Sequence, residues 1–300
     1  MAALLTCCSS LAAAQPPLPF SLEQLSIGLP EAGAPRAVIG PYAVATETIA
    51  GTPGLQVYRP RDLSRFPAND TLPIVVWGNG ACMADGSGFA GYLSTIASYG
   101  YLVVASARVP GDPQARITSA NLIKALDWAQ AEASRAGSPL AGKIRSEAVA
   151  VMGMSCGGNL ALEAAGDPRV DTLGMWNSGV WSNGEMRTGD GTLLSATTKA
   201  DLARIHSPTL YINGDKIDPA MVNAADDFTR LNHVPVFFGS RHNSGHAGTY
   251  SHANGGEFAN VAVAWLRWQL KGDKDAGKVF TGPSCSLCVV PNWTVQKKGL

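Results

Sequence analysis

Short apolar runs and amphipathic segments alternate along the chain from residue 43 onward. Most of the runs consist almost entirely of apolar residues, which is typical of strands buried on both faces. Between two of them, apolar residues recur from Leu122 to Ala133 at the spacing of an amphipathic helix. The pattern predicts strands at 43–49, 54–58, 74–77, 101–105, 148–152, 172–176, 209–212 and 234–238, and helices at 89–98, 122–133, 159–165, 199–205, 220–231 and 258–269.

Strands that alternate with helices over the whole length predict an α/β fold, with one doubly wound, mostly parallel sheet and helices on both faces. The first two strands are expected to join this sheet as an antiparallel pair. The sequence shows no internal repeat and no dividing linker. We therefore expect residues 15–300 to form a single domain, with a Pro-rich surface arm at 15–41 and a cysteine-containing tail at 272–300.

The composition is that of a folded, neutral protein. Hydrophobic residues make up 46% of the chain and charged residues 15%, which supports a large core and argues against disorder. Lys plus Arg and Asp plus Glu both number 23, so nothing indicates nucleic acid or an acidic membrane surface as a partner. The sequence contains no run of about 20 apolar residues, so no membrane-spanning helix is predicted. We expect a monomer.

The first 14 residues are small and apolar and end in three alanines before Gln15, as in a secretory signal peptide. They lack a Lys or Arg, so a frayed cytosolic start is the alternative. Asn69 and Asn292 each begin an Asn-x-Thr sequon, which fits a secreted glycoprotein.

Four cysteines remain if the leader is removed: Cys82, Cys156, Cys285 and Cys288. An even number in a secreted protein predicts two disulfides, with three possible pairings. The Cys-x-x-Cys spacing in the tail is also that of half a zinc site or of a redox pair. No second Cys/His pair at ligand spacing follows it, so we expect a structural disulfide and no metal.

The most informative stretch is Gly153-Met154-Ser155-Cys156-Gly157, between a predicted strand and a predicted helix. A serine at a sharp strand-to-helix turn needs small neighbours, and the glycines supply them. Such a turn lifts the hydroxyl clear of the sheet edge, where a base can reach it. Ser155 is therefore the predicted nucleophile.

A serine nucleophile needs a base and an acid, which in this architecture follow it in the order acid, then histidine. Asp215 and Asp218 both lie on the loop after the strand at 209–212. Asp215 directly follows a glycine and suits turn capping, so Asp218 is the predicted acid.

Two histidines, His242 and His246, lie on the loop after the strand at 234–238. His246 has the small neighbours that let an imidazole lean over the sheet edge, so it is the predicted base, with His242 as the alternative. His206 and His233 lie before strands, at the opposite edge, and are expected to be structural.

An oxyanion hole requires two backbone N–H donors. One follows the nucleophile, at Cys156, and the other is expected from Ala81 on the loop after the strand at 74–77, with Cys82 as the alternative. Cys82 and Cys156 would then flank one small cavity. A disulfide between them would hold both halves of the hole in register, whereas two free buried thiols is the alternative.

These motifs resemble the α/β-hydrolase superfamily, and their spacing is similar to that of the dienelactone hydrolase, cutinase and bacterial polyester-hydrolase group. The resemblance covers about residues 74–270 and implies ester hydrolysis through an acyl-enzyme, with no metal or organic cofactor. Two positions depart from the group's pattern. Cys156 replaces the Met or Gln common after the nucleophile, and Ala81 replaces a substrate-binding aromatic residue.

The stretch from residue 177 to 192 is too short for a large helical lid, so an open site is expected. Trp176 and Trp181 lie next to the predicted strand at 172–176 and could line an acyl pocket, although core or surface packing is an equal alternative. Because no arginine cluster lies near the predicted site, we expect a small or medium apolar ester or lactone as substrate. A non-catalytic binding member of the fold and a biosynthetic acyl-transfer or lactone-processing enzyme remain the alternatives.

Overall fold

The computed structural model describes residue 37 and residues 39–49, 54–66, 71–187 and 191–300. The predicted leader at 1–14, most of the predicted arm at 15–41 and the sequon at Asn69 lie outside these residues. Within the described ranges, no helix is both long and apolar enough to span a bilayer.

In the described ranges, nine strands form one sheet, and two short strands form a separate hairpin. The sheet strands are β1 (Val44–Thr48), β2 (Leu55–Pro60), β3 (Leu72–Gly78), β4 (Leu102–Ser106), β5 (Ile144–Met154), β6 (Thr172–Trp176), β9 (Thr209–Asn213), β10 (Val236–Arg241) and β11 (Trp293–Lys298). The hairpin strands are β7 (Met186–Arg187) and β8 (Leu193–Ser195). The order across the sheet is β1-β2-β4-β3-β5-β6-β9-β10-β11.

Five neighbouring pairs, from β4 to β10, are parallel, and only the outer pairs β1–β2, β2–β4 and β10–β11 are antiparallel. The carboxyl ends of the parallel strands therefore meet along one edge of the sheet, where loops can bring distant side chains together. The mostly parallel sheet predicted from the sequence is confirmed.

Helices cover both faces of this sheet: α1 (Ala90–Ala97), α2 (Ser119–Glu132), α3 (Cys156–Ala164), α4 (Met221–Arg230), α5 (Gly256–Lys271) and the short α6 (Lys274–Gly277). The period-two alternation of a strand divides the core in two. Val76 packs in the cluster that includes Leu122 of α2 and Leu160 of α3. Its neighbour Val75 packs in the opposite cluster, which includes Leu93 of α1 and Leu266 of α5.

The tail predicted for 272–300 contains a strand that the apolar pattern does not reveal. Strand β11 pairs antiparallel with β10, so the strand predicted at 234–238 is not the sheet edge. Trp293 and Val295 pack on the core while Thr294 is exposed, a weak alternation that ends in two lysines. The helix predicted at 199–205 is a 3₁₀ helix, Lys199–Arg204.

Candidate active site

Ser155 occupies a sharp turn between β5 and α3, with φ of 54° and ψ of −121°. L-residues rarely adopt this backbone conformation, and close packing holds it here. A Cβ on Gly153 would collide with the carbonyl oxygen of Gly157, and a Cβ on Gly157 would collide with that of Gly78. Both glycines are therefore required for the turn to pack against β3.

Three predicted side chains meet above the carboxyl edge of the sheet. Ser155 Oγ lies 2.9 Å from His246 Nε2, and His246 Nδ1 lies 2.8 Å from Asp218 Oδ1. Ser155 follows β5, Asp218 follows β9, and His246 follows β10, so the parallel strands bring together residues that are distant in sequence. Both His246 and Asp218 are buried. The arrangement permits proton transfer from the hydroxyl to an imidazole held by a carboxylate.

The Asp218 carboxylate accepts hydrogen bonds on both oxygens. The N–H of Ala220 donates to Oδ1, and the N–H of Gly214 donates to Oδ2, each at 3.0 Å. Burial by itself would raise the pKa of this carboxyl, but the hydrogen bonds from His246, Asn177 and Ala220 outweigh burial and hold the pKa below its ordinary value. Asp218 is therefore ionised at neutral pH, as the partner of an imidazole must be.

Asn177, which the sequence analysis did not select, also contacts the acid. It directly follows β6, and its Nδ2 donates to Asp218 Oδ2 at 2.9 Å and to the carbonyl oxygen of Gly245 at 3.0 Å. Its Oδ1 accepts from the Tyr250 hydroxyl at 3.1 Å. In the sequence, only its position could have identified Asn177 as a site residue: it is polar and directly follows a buried strand, at the same sheet edge as the nucleophile.

The two loops expected to supply the oxyanion hole are covalently joined. Cys82 and Cys156 form a disulfide with a Cα–Cα distance of 5.2 Å, and both residues are fully buried. Cys156 is the first residue of α3, where an N–H has no acceptor within the helix. Ala81 lies in the 3₁₀ turn Gly80–Cys82, and both Ala81 and Cys82 have a left-handed φ of 52°.

A second contact holds the same loop. The Arg116 guanidinium donates to the carbonyl oxygen of Ala81, and the N–H of Ile117 donates to that of Cys82 at 2.8 Å. The loop is therefore held by hydrogen bonds to the segment around Arg116 as well as by a disulfide. Two consecutive left-handed residues without glycine persist only when the surroundings over-determine them, as these contacts do.

Ser155, His246 and Ala81 line one cavity of about 380 Å³, together with Gly80, Arg116, Met154, Asn177, Ser178, Gly179, Trp181, Met186, Arg187, Leu194, Pro219 and Ala220. Its walls are predominantly apolar. The β7–β8 hairpin supplies Met186, Arg187 and Leu194, so the site has a short flanking hairpin that the sequence analysis did not anticipate. No large helical lid covers it in the described part of the chain.

One expectation about this cavity needs correction. Trp176 does not line it: the ring is fully buried among Tyr92 and Phe258, at centroid distances of 5.5 and 5.6 Å. Because side chains alternate along a strand, this last residue of β6 faces the helices rather than the cavity. Two arginines, Arg116 and Arg187, also line the cavity and reach it from distant parts of the sequence.

The alternative acid and base have other contacts. Asp215 accepts from the N–H groups of Ile217 and Asn243, at 3.2 and 2.8 Å, and so caps its loop. His242 Nε2 lies 2.8 Å from Thr294 Oγ1 on β11.

Cys285 and Cys288 form the second disulfide, in the tail. Among the described residues, no group of three or more His, Cys, Asp or Glu side chains is arranged to hold a metal ion.

A family model described as "PET hydrolase-like" matches residues 28–289. The chain belongs to the PET hydrolase-like family. The match includes every candidate site residue from Ala81 to His246, and it confirms the resemblance to α/β-hydrolases of the cutinase and polyester-hydrolase group. A search of curated proteins found no match. Membership of the PET hydrolase-like family identifies ester hydrolysis as the general chemistry.

Proposed function

We propose that the protein is a secreted serine hydrolase that cleaves neutral carboxylic esters or lactones of small or medium size. One observation carries the proposal: a continuous hydrogen-bonded chain, Asp218–His246–Ser155, ends at a predominantly apolar cavity. In the proposed roles, Ser155 is the nucleophile, His246 the general base and acid, and Asp218 the group that orients the imidazole and stabilises its charge.

The reaction follows from these contacts. The Ser155 hydroxyl donates to His246 Nε2, and it gives up this proton as its oxygen attacks the ester carbonyl carbon. The imidazolium, held through Nδ1–H by Asp218, then returns the proton to the departing alcohol, which leaves an acyl-Ser155. A water molecule, deprotonated by the same imidazole, attacks the acyl carbon. The bond from that carbon to Ser155 Oγ breaks, the imidazolium returns its proton to Oγ, and the carboxylic acid is released.

The developing oxyanion would be bound by the N–H groups of Ala81 and Cys156. Each such donor contributes about 3 to 4 kcal/mol to lowering the barrier when it is held in place before the reaction. The disulfide between Cys82 and Cys156 and the Arg116 contact on Ala81 support this role, because they fix the two donors relative to one another.

The cavity supports a neutral, largely apolar substrate. Met154, Trp181, Met186 and Leu194 offer apolar contacts, and a volume of about 380 Å³ lies at the small end of ligand sites. Of the two arginines in the lining, Arg187 is paired with Glu185 at 2.8 Å, and Arg116 donates to the carbonyl oxygen of Ala81. We propose Trp181 as the aromatic contact for the acyl group.

Secretion is part of the proposal. Two disulfides fit an oxidising compartment, and residues 1–14 would serve as the leader. Asn292 is exposed beside β11 and would accept a glycan there, and Asn69 would be the second acceptor. We propose a monomer with no cofactor.

The direct test is labelling by a fluorophosphonate, located by mass spectrometry, together with turnover of p-nitrophenyl esters from acetate to octanoate. We expect the label on Ser155 and loss of both label and turnover in Ser155→Ala. Ser134→Ala, an exposed serine after α2, is the control and retains both. Turnover that survives in Ser155→Ala would refute the proposed nucleophile, and no label on the wild type would favour a binding protein.

A further inference from the structure

The hydrogen-bonded chain does not stop at the carboxylate. Tyr250 donates its hydroxyl to Asn177 Oδ1 at 3.1 Å, and Asn177 donates from Nδ2 to Asp218 Oδ2 at 2.9 Å. All three residues are buried, with Asn177 fully inaccessible. Five residues are therefore connected in order, from an aromatic side chain of the core to the hydroxyl of Ser155.

The Asn177 amide also joins two loops that belong to different strands. Asp218 follows β9, whereas Gly245, which accepts from the same Nδ2 at 3.0 Å, directly precedes His246 on the loop after β10. One amide nitrogen thus holds the acid and the backbone next to the base. Asn177 itself has a left-handed φ of 41°, and its own N–H donates to Ile212 at 2.7 Å.

The surroundings select one orientation of this amide. Nδ2 faces two acceptors, the Asp218 carboxylate and the Gly245 carbonyl, while Oδ1 faces the Tyr250 hydroxyl. In the flipped orientation the amide oxygen would oppose a carboxylate and a carbonyl, both of which only accept. The hydrogen bond from the Tyr250 hydroxyl therefore stabilises the amide orientation in which Asn177 Nδ2 donates to Asp218.

We propose that Asn177 and Tyr250 are positioning residues for the reaction: Asn177 holds the acid and the histidine loop in one geometry, and Tyr250 fixes the direction in which the amide faces. The inference rests on the proposed function and adds two residues to it. Neither residue touches the reacting atoms, and both act through Asp218 and His246.

The core around Tyr250 makes its hydroxyl a rigid anchor. The ring packs against those of Phe89, Tyr92 and Phe258 at centroid distances of 5.0, 5.3 and 5.5 Å. Tyr92 provides a matched control in the same cluster. Its hydroxyl is buried and has no hydrogen-bond partner in the described structure, so Tyr92→Phe removes the same atom without touching the amide.

The experiment is a double-mutant cycle with Asn177→Ala and Tyr250→Phe, read by the kcat and KM of p-nitrophenyl butyrate hydrolysis. Loss of a hydrogen bond to a charged group predicts a fall in kcat of roughly ten- to hundred-fold for Asn177→Ala, and loss of a neutral one predicts about two- to ten-fold for Tyr250→Phe. KM stays within about two-fold, because the bonds act on the transition state.

The cycle separates positioning from general packing. If Tyr250 acts through the amide, Tyr250→Phe changes kcat by less than about two-fold in the Asn177→Ala background. The downfield proton resonance between His246 and Asp218 shifts or broadens in both single variants and stays in place in Tyr92→Phe. If Asn177→Ala fails to fold, the test is the comparison of kcat and of the proton resonance between Tyr250→Phe and Tyr92→Phe.

Additive effects in the cycle, or an equal loss of kcat in Tyr92→Phe, would overturn the inference while leaving the proposed function intact. Failure of the proposed function gives a different result: either turnover survives in Ser155→Ala, or the wild type itself shows no turnover and no label, whatever happens at Asn177.

Discussion

Removing the disulfide between Cys82 and Cys156 is expected to destabilise the protein far more than removing the one between Cys285 and Cys288. The variants are the double substitutions Cys82→Ala/Cys156→Ala and Cys285→Ala/Cys288→Ala. Alanine is chosen because Cys82 and Cys156 are fully buried, and a serine hydroxyl there would add the cost of burying a polar group.

The magnitude follows from the lengths of chain that the two disulfides close. The bonded cysteines are 74 residues apart in the first pair and 3 apart in the second. The loop-entropy model gives about 4.5 kcal/mol for the longer loop and about 1.6 kcal/mol for the shorter one. The difference of about 3 kcal/mol corresponds to roughly 6 to 12 °C in Tm for a chain of this size.

The same comparison separates stability from catalysis. Without the bond to Cys156, the left-handed pair Ala81 and Cys82 keeps only its hydrogen-bonded contacts, and one oxyanion donor is less well placed. We expect kcat to fall by about a hundred-fold or more in Cys82→Ala/Cys156→Ala, as for loss of one donor. The variant without the tail disulfide keeps the wild-type kcat.

Circular dichroism during thermal and denaturant unfolding measures the stability of both variants, and ester turnover well below Tm measures kcat. Equal losses of stability in the two variants would refute the loop-length reasoning. An unchanged kcat in Cys82→Ala/Cys156→Ala would refute the view that the covalent bond holds the oxyanion hole.

Two further predictions concern the acid and the tryptophans. The pKa of Asp218 lies below its ordinary value in the folded protein, so its ionised form contributes stability that is complete above about pH 4 and is lost as the pH falls through the lowered pKa. The stability difference between wild type and Asp218→Asn, measured by urea unfolding, should therefore shrink as the pH is lowered from about pH 5 through the lowered pKa, and a constant difference would contradict it. Trp176→Ala should cost about 3 to 5 kcal/mol of stability, because the ring is fully buried, whereas Trp181→Ala should mainly raise KM for octanoate by about ten-fold. The reverse pattern in unfolding and kinetics would show that the two rings have been assigned wrongly.

Much of the fold was accessible from the sequence because its strands are short, apolar and regularly separated. Such runs identify buried parallel strands, and the parallel arrangement then requires their following loops to meet. That is why Ser155, Asp218 and His246 could be selected from glycine-flanked or strand-following positions, and the structure brings these side chains into contact.

The features that were missed depend on directions that a linear pattern does not specify. Trp176 and Trp181 looked equivalent, yet one faces the core and the other faces the cavity, because the path of the chain after β6 decides their orientation. Asn177 and Tyr250 meet only in three dimensions, across separate loops. Strand β11 escaped detection because an edge strand with polar and lysine positions lacks the apolar run of an interior one.

Strand β11 also has a consequence for how copies of the protein meet at high concentration. It covers β10, so the sheet margin on the side of the histidine loop is a strand that ends in Lys297 and Lys298. The ammonium groups of both lysines donate to carbonyl oxygens of the same molecule, Lys297 to that of Phe280 and Lys298 to that of Phe228, and so hold the end of β11 in place. The strand that precedes the His246 loop therefore has both of its edges paired within the molecule, and a second copy that approaches this margin would meet β11 first.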